Sequence, residues 1–393
     1  MDLLVSARRG DLTPQDGYRL MEQAPLPELL DAAGALRDGS KGRVVTYSRK
    51  VFIPLTTYCR DDCGYCTFKR DPGQPGAGYL TPEQVLDIAR QGQEMGCKEA
   101  LFSLGDKPEL RFPEARDALR RLGYPTTAGY LAAMCALVLR RTGLLPHPNP
   151  GTLGRAELAA LREHSASMGM MLENLTPRLR AAGMAHEHAP DKAPGARLAV
   201  LRYAGELRFP FTTGLLIGIG ETPQERVDSL FAIRDVNARH GHIQEVIVQN
   251  FRRKPDIPMR NVPDAGRDDL LRTLAVARLI LGEAMNLQAP PNLSPEDYPL
   301  LLQAGINDWG GVSPVTPDHI NPEAPWPQIA TLARRTAEAG HELRERLTLY
   351  PEYVARQEFV PSHLRGAIGG LAGADGYARP SPVLPMKEPA AAS

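Results

Sequence analysis

The hydrophobic and polar positions fall into two regimes along the chain. Over residues 12 to 40, Leu20, Met21, Leu26, Leu29, Leu30 and Leu36 recur at roughly helical spacing before Gly39, which predicts one or two leading helices. From Val51 onward, short apolar runs alternate with longer amphipathic stretches, the pattern of successive strand-helix units around a parallel sheet. The strand candidates are 51–57, 99–104, 143–147, 166–172, 211–217, 243–249, 286–290 and 305–309. Helices are predicted between them. Those starting at Thr81 and Thr222 open alike, with a threonine that can cap the first turn and a proline at the first helical position.

Eight such repeats predict an α/β fold, a (β/α) TIM-type barrel, and the weak third run leaves an incomplete six-stranded barrel as the alternative. The expected organisation is a helical cap over 1–47, the barrel over 48–360 and a tail over 361–393. That tail is rich in glycine, alanine and proline, so it is expected to offer little core and to be disordered over its last fifteen or so residues.

Lysine plus arginine balance aspartate plus glutamate at 46 each, so no overall field draws the chain to nucleic acid or to an anionic membrane; a small-molecule substrate is expected. The amino terminus lacks the unbroken apolar core of a signal peptide, and no stretch has eighteen uninterrupted apolar residues; a soluble, cytoplasmic protein is expected.

Three of the five cysteines, Cys59, Cys63 and Cys66, lie together in TTYCRDDCGYCTF, directly after the first predicted strand. A disulfide framework does not have this form. The position is the carboxyl end of a barrel strand, where barrel enzymes build their active sites. Three thiolates satisfy three irons of a cubane cluster and leave the fourth without a protein ligand, whereas a ferredoxin or a structural zinc site needs a fourth donor. Cys97 lies at a predicted helix end and Cys135 within AAMCALVL, and both read as small buried hydrophobes.

The motif C-x3-C-x-aromatic-C after a first barrel strand resembles the signature of the radical S-adenosylmethionine (SAM) superfamily. The resemblance implies a 4Fe-4S cluster whose open iron chelates SAM and whose electron yields a 5′-deoxyadenosyl radical. It further implies that Tyr65 and Phe68 lie near the adenine, and that Gly105 and Asp106 of SLGDKPE receive the methionyl amine. An ordinary strand-to-helix turn fits SLGDKPE equally well. Glu173 of SMGMMLEN would grip the ribose, or else cap a helix; Arg197 would hold the methionyl carboxylate, or else be solvated. Gly218 and Gly220 of GLLIGIGET would pass close to adenine. Gln249 and Asn250 would reach adenine or substrate, or else satisfy backbone groups.

The likeness runs from about Ser48 to Val354 and is nearest to the enzymes that build the deazaflavin chromophore of coenzyme F-420, through VFIPLTTYCRDDCGYCTF, FSLGDKPE, LPHPNPG and SMGMMLE. Among these it is similar to the cyclising subunit. That implies a companion radical SAM subunit supplying a tyrosine-ribitylaminouracil adduct, a reducing electron donor, and conversion of the adduct by hydrogen abstraction, ring closure, loss of ammonia and oxidation. His147, Asn149, His186, His188, Asn307, Asp308 and Trp309 are the remaining substrate-side candidates, each histidine reading more readily as a solvent-exposed loop residue. The alternatives are the companion synthase, a menaquinone-pathway relative, a hydrogenase-cofactor maturase, and a non-catalytic zinc or iron-sulfur scaffold.

Overall fold

The structure, a computed structural model, describes residues 6–381 apart from Arg8. Eight parallel strands line the barrel: β1 (Val44–Thr56), β2 (Glu99–Leu104), β3 (Leu145–Asn149), β4 (Met168–Gly169), β5 (Phe211–Ile217), β6 (Ile243–Asn250), β7 (Leu287–Gln288) and β8 (Asp308–Val312). Their order is β3-β2-β1-β8-β7-β6-β5-β4. The seam between β3 and β4 is spanned by the Ala166 N–H donating to the Pro146 carbonyl at 3.2 Å and by the His147 imidazole against Ser167 Oγ at 2.7 Å. Eight strands, rather than six, surround the lumen.

The predicted capping devices are present. Thr81 and Gln84 close a reciprocal box at the start of Pro82–Glu94, and Thr222 and Glu225 do so for Pro223–His240. The leading helices, Pro14–Glu22 and Leu26–Lys41, lie on the barrel's outer flank against Pro223–His240 and Arg267–Leu281. The second runs through Gly39 and stops at Gly42, whose φ of +61° suits glycine. Cys135 is buried in the apolar helix Thr127–Thr142, and Cys97 is buried two residues before β2.

A ninth strand, β9 (Glu342–Arg346), was not expected; it pairs in parallel with the first half of β1. Beyond it the chain crosses the amino-terminal end of the barrel. Arg346 meets Asp308 at 2.6 Å and Glu245 at 3.0 Å, Thr348 Oγ1 meets Ser167 Oγ at 2.6 Å, and Tyr350 donates to Glu245. This crossing closes the barrel from below. Leu347, Leu349 and Tyr350 then form a second core with Phe359, Leu364, Ile368 and Ala372, so the start of the glycine-rich tail is packed. Of the stretch expected to be disordered, 382–393 lie outside the described residues.

Candidate active site

A cavity of about 330 Å³ occupies the lumen and opens at the carboxyl ends of the strands. The loop after β1 brings Cys59, Cys63 and Cys66 to its wall. That loop is held on both sides: Asp62 and Gly64 N–H groups donate to the His188 and Ala185 carbonyls at 2.9 and 2.8 Å, and the Gly64 carbonyl accepts from Met259 N–H. All three thiols are free of disulfides. Burial pushes the Cys59 thiol up to about 12, with the Asp61 charge adding to it, and burial raises Cys63 well above the usual thiol range. Iron ligation would replace those protons.

The turn after β2 passes directly behind Cys59. The Asp106 N–H donates to Cys59 Sγ at 3.3 Å, and a Cβ on Gly105 would lie 1.9 Å from the Tyr58 carbonyl oxygen, so only glycine allows this approach. Asp106 shares a buried acidic corner with Asp61 and Asp191. Arg60 makes a two-pronged pair with Asp191 at 2.6 and 2.7 Å, and Thr152 donates to Asp106 Oδ2. Asp106 Oδ1 has no partner among the described residues. Burial, followed by the Asp191 charge, raises the Asp106 carboxyl to about 7. An ammonium entering this corner would relieve both effects.

Across the cavity, Glu173 holds a left-handed backbone conformation, φ +64°. Its carboxylate takes the Lys192 ammonium at 2.5 Å on one oxygen; on the other it takes the Tyr65 hydroxyl at 2.5 Å and His186 Nε2 at 3.1 Å. Burial alone would raise this carboxyl, but Lys192, His186 and Arg197 together hold it well below the usual range. Arg197 is buried and donates to the Met171 carbonyl. Phe68, Gln249, Asn149 and Asn250 also line the cavity, and Asn250 donates to the Leu293 carbonyl at 3.2 Å.

Several sequence candidates lie elsewhere. His188 is exposed beside Glu187, and only its backbone carbonyl supports the cysteine loop. Asn307 bonds Arg278 and Asn286, Asp308 bonds Arg346 and the Gly310 N–H, and fully buried Trp309 donates to Thr336 outside the barrel. Asn307 precedes β8, and Asp308 and Trp309 begin it instead of ending it, which places all three away from the mouth. Gly218 and Gly220, at φ +87° and +103°, form a turn outside the cavity lining, where a Cβ would meet Ala265 and Met184 respectively; Glu221 accepts from the Gly218 and Ile219 N–H groups. His186 reaches the cavity only through Tyr65 and Glu173.

Comparison with known proteins places this geometry. Residues 53–233 match the model of the radical SAM superfamily. The 7,8-didemethyl-8-hydroxy-5-deazariboflavin synthase of Methanopyrus kandleri is 51% identical over 336 residues, which cover 86% of this chain and 100% of the relative. The chain belongs to the radical SAM superfamily, in its deazariboflavin synthase family. The FO synthase of Mycobacterium tuberculosis (strain ATCC 25618 / H37Rv) is 53% identical over 364 residues, 90% of this chain but 42% of the relative, so the chain spans less than half of that protein. Among solved structures, methylornithine synthase (PylB) superposes with a TM-score of 0.68 at 20% identity, covering 87% of this chain and 97% of its own. HydG, the FeFe-hydrogenase maturase of Carboxydothermus hydrogenoformans, gives 0.68 at 16% identity, with 93% and 86% covered. At those identities the likeness shows the fold.

Radical SAM proteins use a 4Fe-4S cluster and SAM, and the donor set here fits them. Cys59, Cys63 and Cys66 line the cavity while Cys97 and Cys135 do not, so the donor set there is three thiols, which fits a cubane cluster that keeps one iron open.

Sequence reasoning missed Asp61, Asp191 and Lys192, and also the charged residues deep in the lumen: Lys50, Glu99, Glu245 and Arg346. For Glu99 and Glu245 a signal existed, since each is the one charged residue of its strand. Lys192 ends a three-residue 3-10 turn, Pro190–Lys192, too short for any periodicity to mark it.

Proposed function

We propose that this chain converts a tyrosine-ribitylaminouracil adduct, 5-amino-5-(4-hydroxybenzyl)-6-(D-ribitylimino)-5,6-dihydrouracil, to 7,8-didemethyl-8-hydroxy-5-deazariboflavin with loss of ammonia, as a radical SAM carbon-nitrogen lyase of coenzyme F-420 biosynthesis. The observation that carries this reading is identity of 51% over the whole length of a deazariboflavin synthase.

Cys59, Cys63 and Cys66 would hold the cluster. Bound there, the cluster and SAM supply the 5′-deoxyadenosyl radical that abstracts hydrogen. The chain's own residues bind and orient. Asp106, with one buried oxygen lacking a partner, would accept the methionyl ammonium, and Gly105 lets the backbone approach that close. Glu173, held ionised by Lys192, would accept from the ribose diol. Tyr65 and Phe68 would flank the nucleoside, with Arg197 and Gln249 completing its surroundings. Asn149 and Asn250 would face the substrate.

The adduct would come from a companion radical SAM subunit; the length of the FO synthases beyond the 42% matched here supports that division of labour. A low-potential electron donor is also required. A reducing cytoplasm suits three unpaired thiols.

The test is a mixing experiment. Anaerobically reconstituted chain, combined with the companion, tyrosine, 5-amino-6-(D-ribitylamino)uracil, SAM and dithionite, should yield deazaflavin fluorescence that is absent when this chain is omitted. Condensation of tyrosine with the uracil by this chain alone would overturn the assignment.

A further inference from the structure

The lower half of the lumen is polar where a barrel interior is ordinarily filled with bulky branched side chains. Strand glycines make this possible. A Cβ on Gly311 would lie 2.1 Å from Lys50 Cε, one on Gly310 would lie 1.9 Å from Gln288 Nε2, and one on Gly169 would lie 2.8 Å from His147 Nε2. Each glycine thus leaves room for a polar side chain from a neighbouring strand to lie across it. Larger residues would fill the compartment.

Two of those side chains are unfinished. His147 uses Nδ1 on Ser167 and Thr348, while its Nε2 has no hydrogen-bond partner among the described residues. The Gln288 amide has none either, although Gln288 and His147 are only 5% and 6% exposed and both line the cavity. Both residues line the cavity, so these polar atoms are free to meet a bound molecule there. The charges around them are already matched: Lys50 with Glu99 at 2.8 Å, and Arg346 with Glu245 and Asp308. Cations so paired offer little to a phosphate. What remains are neutral donors and acceptors, which suit hydroxyl groups.

The compartment also has the right place. Glu99 begins β2 and Gly105 follows its end, so about 20 Å of strand, at roughly 3.3 Å per residue, separates the floor from the turn behind Cys59. A long molecule can therefore reach the floor at one end and the cysteine-lined mouth at the other.

We propose that the lumen floor, through Gln288 and His147 within the Lys50–Glu99 and Arg346–Glu245 pairs, binds the uncharged ribityl chain of the substrate and thereby turns the reacting ring system toward the cluster. This rests on the deazaflavin reading and adds to it which end of the molecule lies deep.

The experiment titrates the reconstituted holoenzyme with three fluorescent ligands: the 8-hydroxy-5-deazariboflavin product, its counterpart with methyl in place of ribityl, and the ribityl 5′-phosphate ester. The ribityl form should bind at least about tenfold tighter than the methyl form, the worth of one or two net hydrogen bonds. It should likewise outbind the phosphate ester. Gln288→Leu, and independently His147→Asn, should weaken the ribityl form while leaving the methyl form unchanged. Equal binding of ribityl and methyl forms would overturn the floor assignment and leave the deazaflavin reading standing, and so would tight binding of the phosphate ester. Parallel loss of both forms in the variants would also overturn it. Binding of none of the three would overturn the functional reading and this one together.

Discussion

Lys50 and Glu99 stand opposite each other in the register of β1 and β2, with their charged groups 2.8 Å apart at the floor of the barrel. Burial would raise the Glu99 carboxyl, but Lys50, then His147 and Arg346, outweigh it and hold the group down to about 2, against 4.5 when free. A carboxyl depressed on folding stabilises fully above its unfolded value, and that stability is lost as pH falls through its folded value. The contribution is of the order of 3 kcal/mol. Thermal midpoints measured from pH 6 down to pH 2 should therefore fall more steeply for the wild type than for Glu99→Gln below about pH 4.5. Parallel curves would show that the pair contributes nothing to acid stability.

The three clustered cysteines should be individually necessary for iron. Cys59→Ala, Cys63→Ala and Cys66→Ala should each lose the visible sulfur-to-iron absorbance and most bound iron after reconstitution. Cys97→Ala and Cys135→Ala should keep both, because those thiols are buried away from the cavity. Full iron content with turnover in Cys63→Ala would count against the assigned ligands.

Lys192 and Glu173 pair at 2.5 Å at the wall of the cavity. Replacing Lys192 with methionine leaves a buried carboxylate short of its main counter-charge, a loss of about 3–5 kcal/mol when a buried pair is broken on one side. Lys192→Met should lower the thermal midpoint and weaken SAM binding. The double variant with Glu173→Gln should recover much of the midpoint without recovering SAM affinity. Recovery of both would make the pair purely structural.

The barrel and the cysteine loop were legible because each has a repeating or compact mark: apolar runs between capped helices, and three thiols within eight residues. The rest is carried by tertiary contacts. The strand at 305–309 was placed about three residues early because Ile306 and Trp309 are apolar, whereas the strand continues through Gly310 and Gly311, whose small size creates lumen space and leaves no hydrophobic trace. β9 reads as polar, ELRER, because Arg346 is buried in ion pairs instead of an apolar contact. Gly218 and Gly220 have positive φ, a need that sequence alone does not separate from close approach to a ligand.

The most direct measurement supplies the isolated adduct to the reconstituted chain with SAM and dithionite, without the companion, and quantifies deazaflavin, ammonia and 5′-deoxyadenosine together. All three should appear and rise in proportion. Formation of 5′-deoxyadenosine while the adduct is recovered unchanged would contradict the account.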